Sequence, residues 1–255
     1  QKGVKELIVV AQDTTRYGED IYGECRLSQL LTELCKIDGI HWIRLLYAYP
    51  DRLTDDIIDV MAREPKIVKY IDLPIQHCCG EVLSRMNRPG DRESLEKTIE
   101  KLRKKIPGIT VRTTLIAGFP GETEEQFCAL SDFVKKMRFE RLGCFAYSAE
   151  EGTPAAEFDD QLSEQEKNKR AEIIMDRQAV ISDELSEQKV GQSVEVLVEG
   201  YDTYIKHFYG RTPADAPDID CKIFFKSKNK PSPGDFVKVR VTDVLDMDLL
   251  GEEEA

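Results

Sequence analysis

Five short apolar runs recur along the first part of this chain, at Leu7 to Val10, Trp42 to Leu46, Val68 to Leu73, Val111 to Ile116 and Leu142 to Tyr147. They stand about thirty residues apart, the spacing of repeated βα units. Helix patterns fill the intervals. Leu27, Leu30, Leu31 and Leu34 share a face before Gly39, a predicted C-cap; Ile57, Val60 and Met61 follow the acidic first turn Thr54-Asp55-Asp56; Leu95, Ile99, Leu102 and Ile106 end at Pro107-Gly108. A fourth helix opens with Thr123-Glu124-Glu125-Gln126, a capping box, and runs through Phe127, Leu130, Val134 and Met137. Alternating strands and helices require a parallel sheet. With no dinucleotide fingerprint, the pattern predicts a partial (β/α) barrel of TIM-like type, whose ligands sit at the C-terminal ends of its strands.

One strand end stands out. Val111 to Thr123 reads as a β-branched strand breaking into Gly118-Phe119-Pro120-Gly121 and then directly into a helix. The glycines permit a close approach or a positive φ, and the helix start turns unpaired N–H groups toward the strand end. This is either a ligand cradle or an ordinary strand-to-helix connection. The other strand ends are polar too: Gln12-Asp13-Thr14-Thr15, Tyr47 and Tyr49, Gln76-His77-Cys78-Cys79, then Arg112, Thr114 and Glu122 around the fourth strand. His77 alone reads as a structural histidine, but this many polar groups on one rim is the anatomy of a barrel active site. Neither a Ser-His-carboxylate triad nor a His-Glu-x-x-His or paired-cysteine metal motif is present. Cys78-Cys79, read as part of a strand, would point to opposite faces and form a structural pair.

After Tyr147 the pattern changes. Ser163 and Glu166 form a second predicted capping box opening a long polar helix to about Lys189, with Ala171, Ile174, Gln178, Ile181 and Leu185 as a narrow stripe suited to a connector. From Gly191 onward Val194, Val196 and Val198, then Val237, Val239 and Val241, alternate with polar residues, which predicts a small antiparallel barrel.

Composition narrows the function. At 255 residues and 41% hydrophobic content the chain can bury a large domain and a small one. A net charge of -12 disfavours a nucleic-acid partner and favours a basic one. No apolar run approaches the roughly 20 residues of a membrane span, and no signal-peptide design is visible, so a cytoplasmic protein with no membrane partner is expected. Seven scattered cysteines suit a reducing compartment. The segment from Gly191 holds eight Lys and Arg against thirteen Asp and Glu, an acidic surface suited to a basic protein; Glu252-Glu253-Glu254 reads as a solvated, disordered tail. The chain lacks an initiator methionine and is expected to begin inside a longer protein.

Taken in order, Val10-Ala11-Gln12-Asp13-Thr14-Thr15-Arg16-Tyr17-Gly18, Leu73-Pro74-Ile75-Gln76-His77, Met86-Asn87-Arg88, Ile116-Ala117-Gly118-Phe119-Pro120-Gly121-Glu122-Thr123 and Tyr147-Ser148-Ala149-Glu150-Glu151-Gly152-Thr153 resemble the radical SAM methylthiotransferases over nearly the whole chain. The Ala-Gln-Asp-Thr-Thr and Glu-Glu-Gly-Thr forms look like the ribosomal-protein branch; the tRNA-modifying branch typically carries Gly-Gln-Asn and Arg-Pro-Gly-Thr there. The resemblance implies a partial radical SAM barrel over 1–160, a connecting helix over 161–190 and a TRAM/OB-like β-barrel over 191–255. It implies two uses of S-adenosylmethionine, a methyl transfer to cluster-held sulfur and a cleavage giving a 5'-deoxyadenosyl radical. The implied target is the β-carbon of an aspartate on the basic small-subunit ribosomal protein of the decoding centre. The whole enzyme would carry two iron–sulfur clusters and take electrons from a donor such as flavodoxin or ferredoxin. Carried over, Gln12 and Asp13 would lie near the methionine amino group, Gln76 and His77 near the ribose, and Arg112 near the carboxylate. Ile116, Gly118 and Gly121 would support the adenine, with Tyr147 at its edge.

The family's Cys-x-x-x-Cys-x-x-Cys loop and its three N-terminal cluster cysteines have no counterpart among Cys25, Cys35, Cys78, Cys79, Cys128, Cys144 and Cys221. The fragment is therefore expected to be inactive alone, with the cluster sites in polypeptide preceding Gln1. The alternatives are a tRNA methylthiotransferase and a cluster-free binding module.

Overall fold

The computed structural model describes residues 3–254; expectations about polypeptide before Gln1 and about Ala255 lie outside them. Among the described residues, β1 (Glu6–Val9), β2 (Trp42–Leu45), β3 (Ile67–Asp72), β4 (Thr110–Ala117) and β5 (Arg141–Ala146) form one parallel sheet in the order β1-β2-β3-β4-β5. The five apolar runs of the sequence are these five strands. Between them lie α1 (Glu19–Tyr22) and α2 (Leu27–Cys35), α3 (Asp55–Arg63), α4 (Gly80–Arg85) and α5 (Arg92–Lys105), and α6 (Glu124–Met137). Thr123 caps α6 as the sequence requires, its hydroxyl accepting the Gln126 N–H while Gln126 accepts the Thr123 N–H. Two local readings are corrected. Lys36 caps α2, and Gly39 lies in the following turn at φ +85°. Cys78 and Cys79 are not in a strand but lead into α4, for which Cys79 is the N-cap.

Helix α7 (Glu164–Glu187) follows. Ser163 accepts the Glu166 N–H, but the box is not reciprocal, because the Glu166 carboxylate turns to Arg170 at 2.9 Å. Ala171, Ile174 and Ile181 enter the same core as Ile58, Leu102, Leu115, Leu130 and Phe133, so α7 completes the helical layer over one sheet face.

The rest is a closed barrel ordered β10-β8-β7-β6-β9, from β6 (Ser193–Asp202), β7 (His207–Arg211), β8 (Ile223–Lys226), β9 (Phe236–Leu245) and β10 (Asp248–Glu253). Val196, Val198, Ile223, Phe225, Val239, Val241 and Leu249 fill it. It is mixed rather than wholly antiparallel, because β10 closes it by pairing parallel to β8. That closure also overturns the disordered-tail reading. Glu252 and Glu253 are paired strand residues, and Glu254 accepts from Ser193 at 2.6 Å and pairs with Arg240 at 2.5 Å.

The second sheet face is covered by this barrel. Trp42, Leu46, Val68 and Tyr70 pack against Leu197 and Ala216. The β7–β8 connection lies across this face of the strands. Arg44 bridges Glu6 at 2.8 Å and the Pro213 carbonyl at 2.9 Å; Arg141 meets Asp215 at 2.5 Å; Tyr70 donates to Asp220 at 2.7 Å.

Candidate functional site

Because the sheet is parallel, its five C-terminal ends share one edge, and the polar segments found in the sequence emerge there, Arg112 excepted. After β1, Gln12 is exposed and Asp13 caps a short 3-10 turn, accepting the Thr15 N–H at 3.0 Å and the Thr15 hydroxyl. Thr14 donates its N–H and hydroxyl to the Tyr47 carbonyl at 3.0 and 3.1 Å, tying the ends of β1 and β2 together. Tyr47 takes φ +53°, a conformation costly for a residue with a Cβ, and its N–H reaches Asp72 at 3.3 Å.

Gln76 is the second residue held at positive φ, +70°. It extends the β3 line, its N–H donating to Thr114 O and its carbonyl accepting Ile116 N–H, both at 2.8 Å. Its side-chain Oε1 is buried without a hydrogen-bond partner. On β4, Val111, Thr113, Leu115 and Ala117 turn to the helices, leaving Arg112, Thr114 and Ile116 on the second face. Beyond them Phe145, near the end of β5, is 62% exposed. An exposed aromatic and a partnerless amide oxygen, on either side of Ile116, are unfinished surface, the kind a polar ligand with a flat apolar part completes.

The Gly-Phe-Pro-Gly turn is held from behind. Gly118 and Gly121 sit at φ +74° and +75°, and a Cβ on Gly118 would lie 2.7 Å from Lys167 Cγ and 2.9 Å from its Cα. A Cβ on Gly121 would strike the Arg85–Asp160 ion pair. These glycines are therefore demanded by what packs behind the turn, α7 at Gly118 and the Arg85–Asp160 pair at Gly121. Glu122 and His77 do the same work from below, both fully buried. Glu122 accepts the Gly118 N–H at 3.0 Å and Arg170 Nη1 at 2.7 Å, and lies 3.3 Å from His77 Nε2, outside good hydrogen-bond geometry. Burial pushes the Glu122 carboxyl up, but the contacts from His77 and Arg170 outweigh it and hold the acid below its ordinary range. His77 Nδ1 accepts the Cys79 N–H at 2.9 Å. Tyr147 stacks edge-on against Phe119 at 5.1 Å in a small cluster with Val82, its hydroxyl buried without a partner.

The edge thus brings together Gln12, Asp13, Gln76, Thr114 and Ile116, with Tyr147 and the Gly118–Gly121 turn beside them. His77 and Glu122 are withdrawn into the support of that turn. Arg112 is elsewhere, in the first half of β4, with its guanidinium 3.0 Å from Asp72 and 3.5 Å from Asp220. Burial raises the Asp72 carboxyl while Arg112 draws it back down. Sequence reasoning missed Arg170, which reaches Glu122 from α7, and Asp220, which reaches Arg112 from the small barrel. Neither carries a local signal, since each acts on a partner many residues away.

An iron–sulfur cluster does not fit the described residues. They contain no group of three His, Cys, Asp or Glu side chains able to hold a metal. Burial pushes the Cys78 and Cys144 thiols up to about 12 and that of Cys221 to about 11, against the thiolate form a metal needs.

A family model described as the radical SAM superfamily matches residues 1–134, and one described as a TRAM domain matches residues 190–253. Curated relatives are similar across both parts. The chain is 51% identical over 252 residues to the ribosomal protein uS12 methylthiotransferase RimO of Caldanaerobacter subterraneus, covering 99% of this chain and 57% of that protein. It is 49% identical over 253 residues to the protein of the same name from Desulforamulus reducens, with the same coverage. Among solved structures, the coproporphyrinogen III oxidase of Escherichia coli, a radical SAM enzyme, aligns with a TM-score of 0.49 at 20% identity over 63% of this chain and 37% of that one. The chain spans little more than half the length of the curated relatives it matches.

Proposed function

From the premise that this chain belongs to the radical SAM superfamily and carries a TRAM domain, we propose that it is the cofactor rim and docking barrel of an enzyme that methylthiolates an aspartate β-carbon on the basic small-subunit ribosomal protein uS12. One observation carries this reading: about half of all positions agree with the uS12 methylthiotransferases across both parts of the chain and the helix joining them.

S-adenosylmethionine is the rim's proposed ligand, and when bound with a reduced cluster it supplies a carbon-centred radical. This chain's residues bind and orient it. Gln76 offers an unpaired carbonyl oxygen to a hydroxyl or amino donor, Asp13 a carboxylate near the β1 end, and Ile116 and Phe145 apolar surface for the base. His77, Glu122 and Gly118 keep the turn in place and are assigned positioning roles. Arg112, paired with Asp72, is not assigned to the carboxylate. Cluster ligands and the electron donor, a flavodoxin or ferredoxin, are assigned to the part of the enzyme this chain does not span. A cytoplasmic location follows from that substrate, and no described helix is long and apolar enough to cross a membrane.

The competing substrate is RNA, and one feature favours it. Lys206, Lys226 and Lys230 line a groove of about 450 Å³ on the small barrel beside Tyr201 and Phe208, so the barrel's net acidity hides one basic, aromatic face. The decisive experiment reconstitutes the longer protein anaerobically and offers it uS12 and tRNA together. A methylthio group on a uS12 aspartate, found by peptide mass spectrometry, is the expected result. Modification of tRNA alone would overturn the proposal.

A further inference from the structure

A cavity of about 420 Å³ opens between the N-terminal ends of the strands and the small barrel. Trp42, Ile67, Val68 and Thr110 line it, each at or next to the start of its strand, so it lies at the opposite end of the sheet from the Gly118 turn. Small-molecule sites fall in this size range, favour domain junctions and combine apolar walls with few polar groups. Here the apolar walls are Trp42, Met61, Val68 and Leu249, with Pro213 from the inserted connection.

Its charges are the informative part. Glu195 accepts from the Trp42 indole and lies against His41, each at 3.1 Å, and Glu64 pairs with Arg63 at 3.1 Å. Lys69 reaches the Pro107 carbonyl at 3.4 Å. Lys189, just past the end of α7, is half-buried on the cavity wall, and among the described residues its ammonium has neither an ion-pair partner nor a hydrogen-bond acceptor. An ammonium held half out of water, with Asp215 and Glu140 near but not in contact, favours an anion that can reach it directly. Burial lowers its pKa, with Arg141 adding to the effect and Asp215, Cys221 and Glu140 opposing it.

We propose that this cleft binds a small amphipathic monoanion, its carboxylate or phosphate-type head paired with Lys189 and its apolar body against Trp42, Met61, Val68 and Pro213. A cationic ligand would meet Lys189 and Lys69, and a neutral one would leave the ammonium unmet. Both walls belong to the docked arrangement, one from the sheet and one from the barrel. The ligand therefore favours docking by mass action and does not compete for the rim.

Trp42 is the chain's only tryptophan and serves as a built-in reporter. 8-Bromooctanoate, whose bromine quenches indole on contact, is titrated into the whole chain, with 8-bromooctanol as the neutral probe of equal length. Saturable quenching by the acid is expected, with the alcohol at least tenfold weaker. Lys189→Met should weaken the acid at least tenfold and leave the alcohol unchanged. Linear, non-saturating quenching, or equal affinity for acid and alcohol, would overturn the proposal. So would full acid affinity in a Lys189→Met chain shown to be folded by circular dichroism. Should that variant not fold, the acid-to-alcohol ratio in the native chain decides alone.

Discussion

The two ends of the same strands are built to opposite specifications. At the C-terminal edge, Gln76 and Tyr147 keep buried polar atoms without partners, Tyr47 and Gln76 hold unfavourable backbone conformations, and Phe145 stands in solvent. Toward the other end, beneath the small barrel, Glu6, Arg44, Arg112, Arg141, Arg211, Asp215 and Asp220 form a buried network in which each carboxylate meets an arginine. The first end retains unmet acceptors; at the second every carboxylate is met, and the unmet groups are cationic, the buried Arg141 Nε and the Lys189 ammonium. A parallel sheet gives both ends the same hydrogen-bond ladder, so the difference arises from what covers each end. The small barrel's β7–β8 connection covers the floor, and no described element covers the rim in the same way.

The comparison breaks most easily at the floor. Asp215→Ala leaves Arg141 buried with no counter-charge, and the expected loss is about 3–5 kcal/mol in urea denaturation. A loss under ~1 kcal/mol would mean that water reaches this interface and that the floor is not closed. Acid sharpens the same point. Burial works against the Asp215 carboxylate, but Arg141 and Lys189 outweigh it and depress its pKa, as His77 and Arg170 do for Glu122. A depressed folded pKa adds stability that is present above the unfolded value near ~4 and is lost as pH falls through the lower folded value. The native chain should therefore lose stability more steeply below that pH than Asp215→Asn, whose acid limb should be flatter.

A middle-sized effect tests the support of the rim. Gly118→Ala must place a Cβ at positive φ and 2.7 Å from Lys167 Cγ, for an expected loss of about 1–3 kcal/mol. Lys167→Ala should relieve part of that penalty in a double-mutant cycle. Relief stays incomplete because the Lys167 Cα lies at 2.9 Å. Strictly additive losses would show that α7 does not press on the turn.

What was legible in the sequence follows the range of the forces involved. The strands, α5, α6 and α7 were readable because periodicity and capping are local: Thr123 and Gln126 satisfy each other three residues apart. The parallel β10–β8 pair was not, because alternation in Asp248–Glu253 does not say which strand lies beside it. Burial was equally hidden. His77 and Glu122 were chosen for their chemistry, and their place beneath the turn depends on Arg170, 48 residues beyond Glu122. Arg112 shows the same limit, since its partner Asp220 arrives from the other domain.

The smallest expected effect discriminates best between the two ends. Gln76→Met keeps an unbranched side chain at φ +70° and removes the buried, partnerless Oε1. Deleting an unsatisfied buried polar atom removes a desolvation penalty, so stability should stay level or rise by up to ~1 kcal/mol. Tyr147→Phe, which deletes another partnerless buried oxygen, should behave alike. At the floor, deleting a carboxylate destabilises, because each one there already has an arginine partner. A gain in melting temperature from Gln76→Met, with weaker S-adenosylmethionine binding in the longer protein, marks a residue kept for its ligand and not for its fold. A clear loss of stability would instead make Gln76 part of the scaffold and erase the contrast between the two ends.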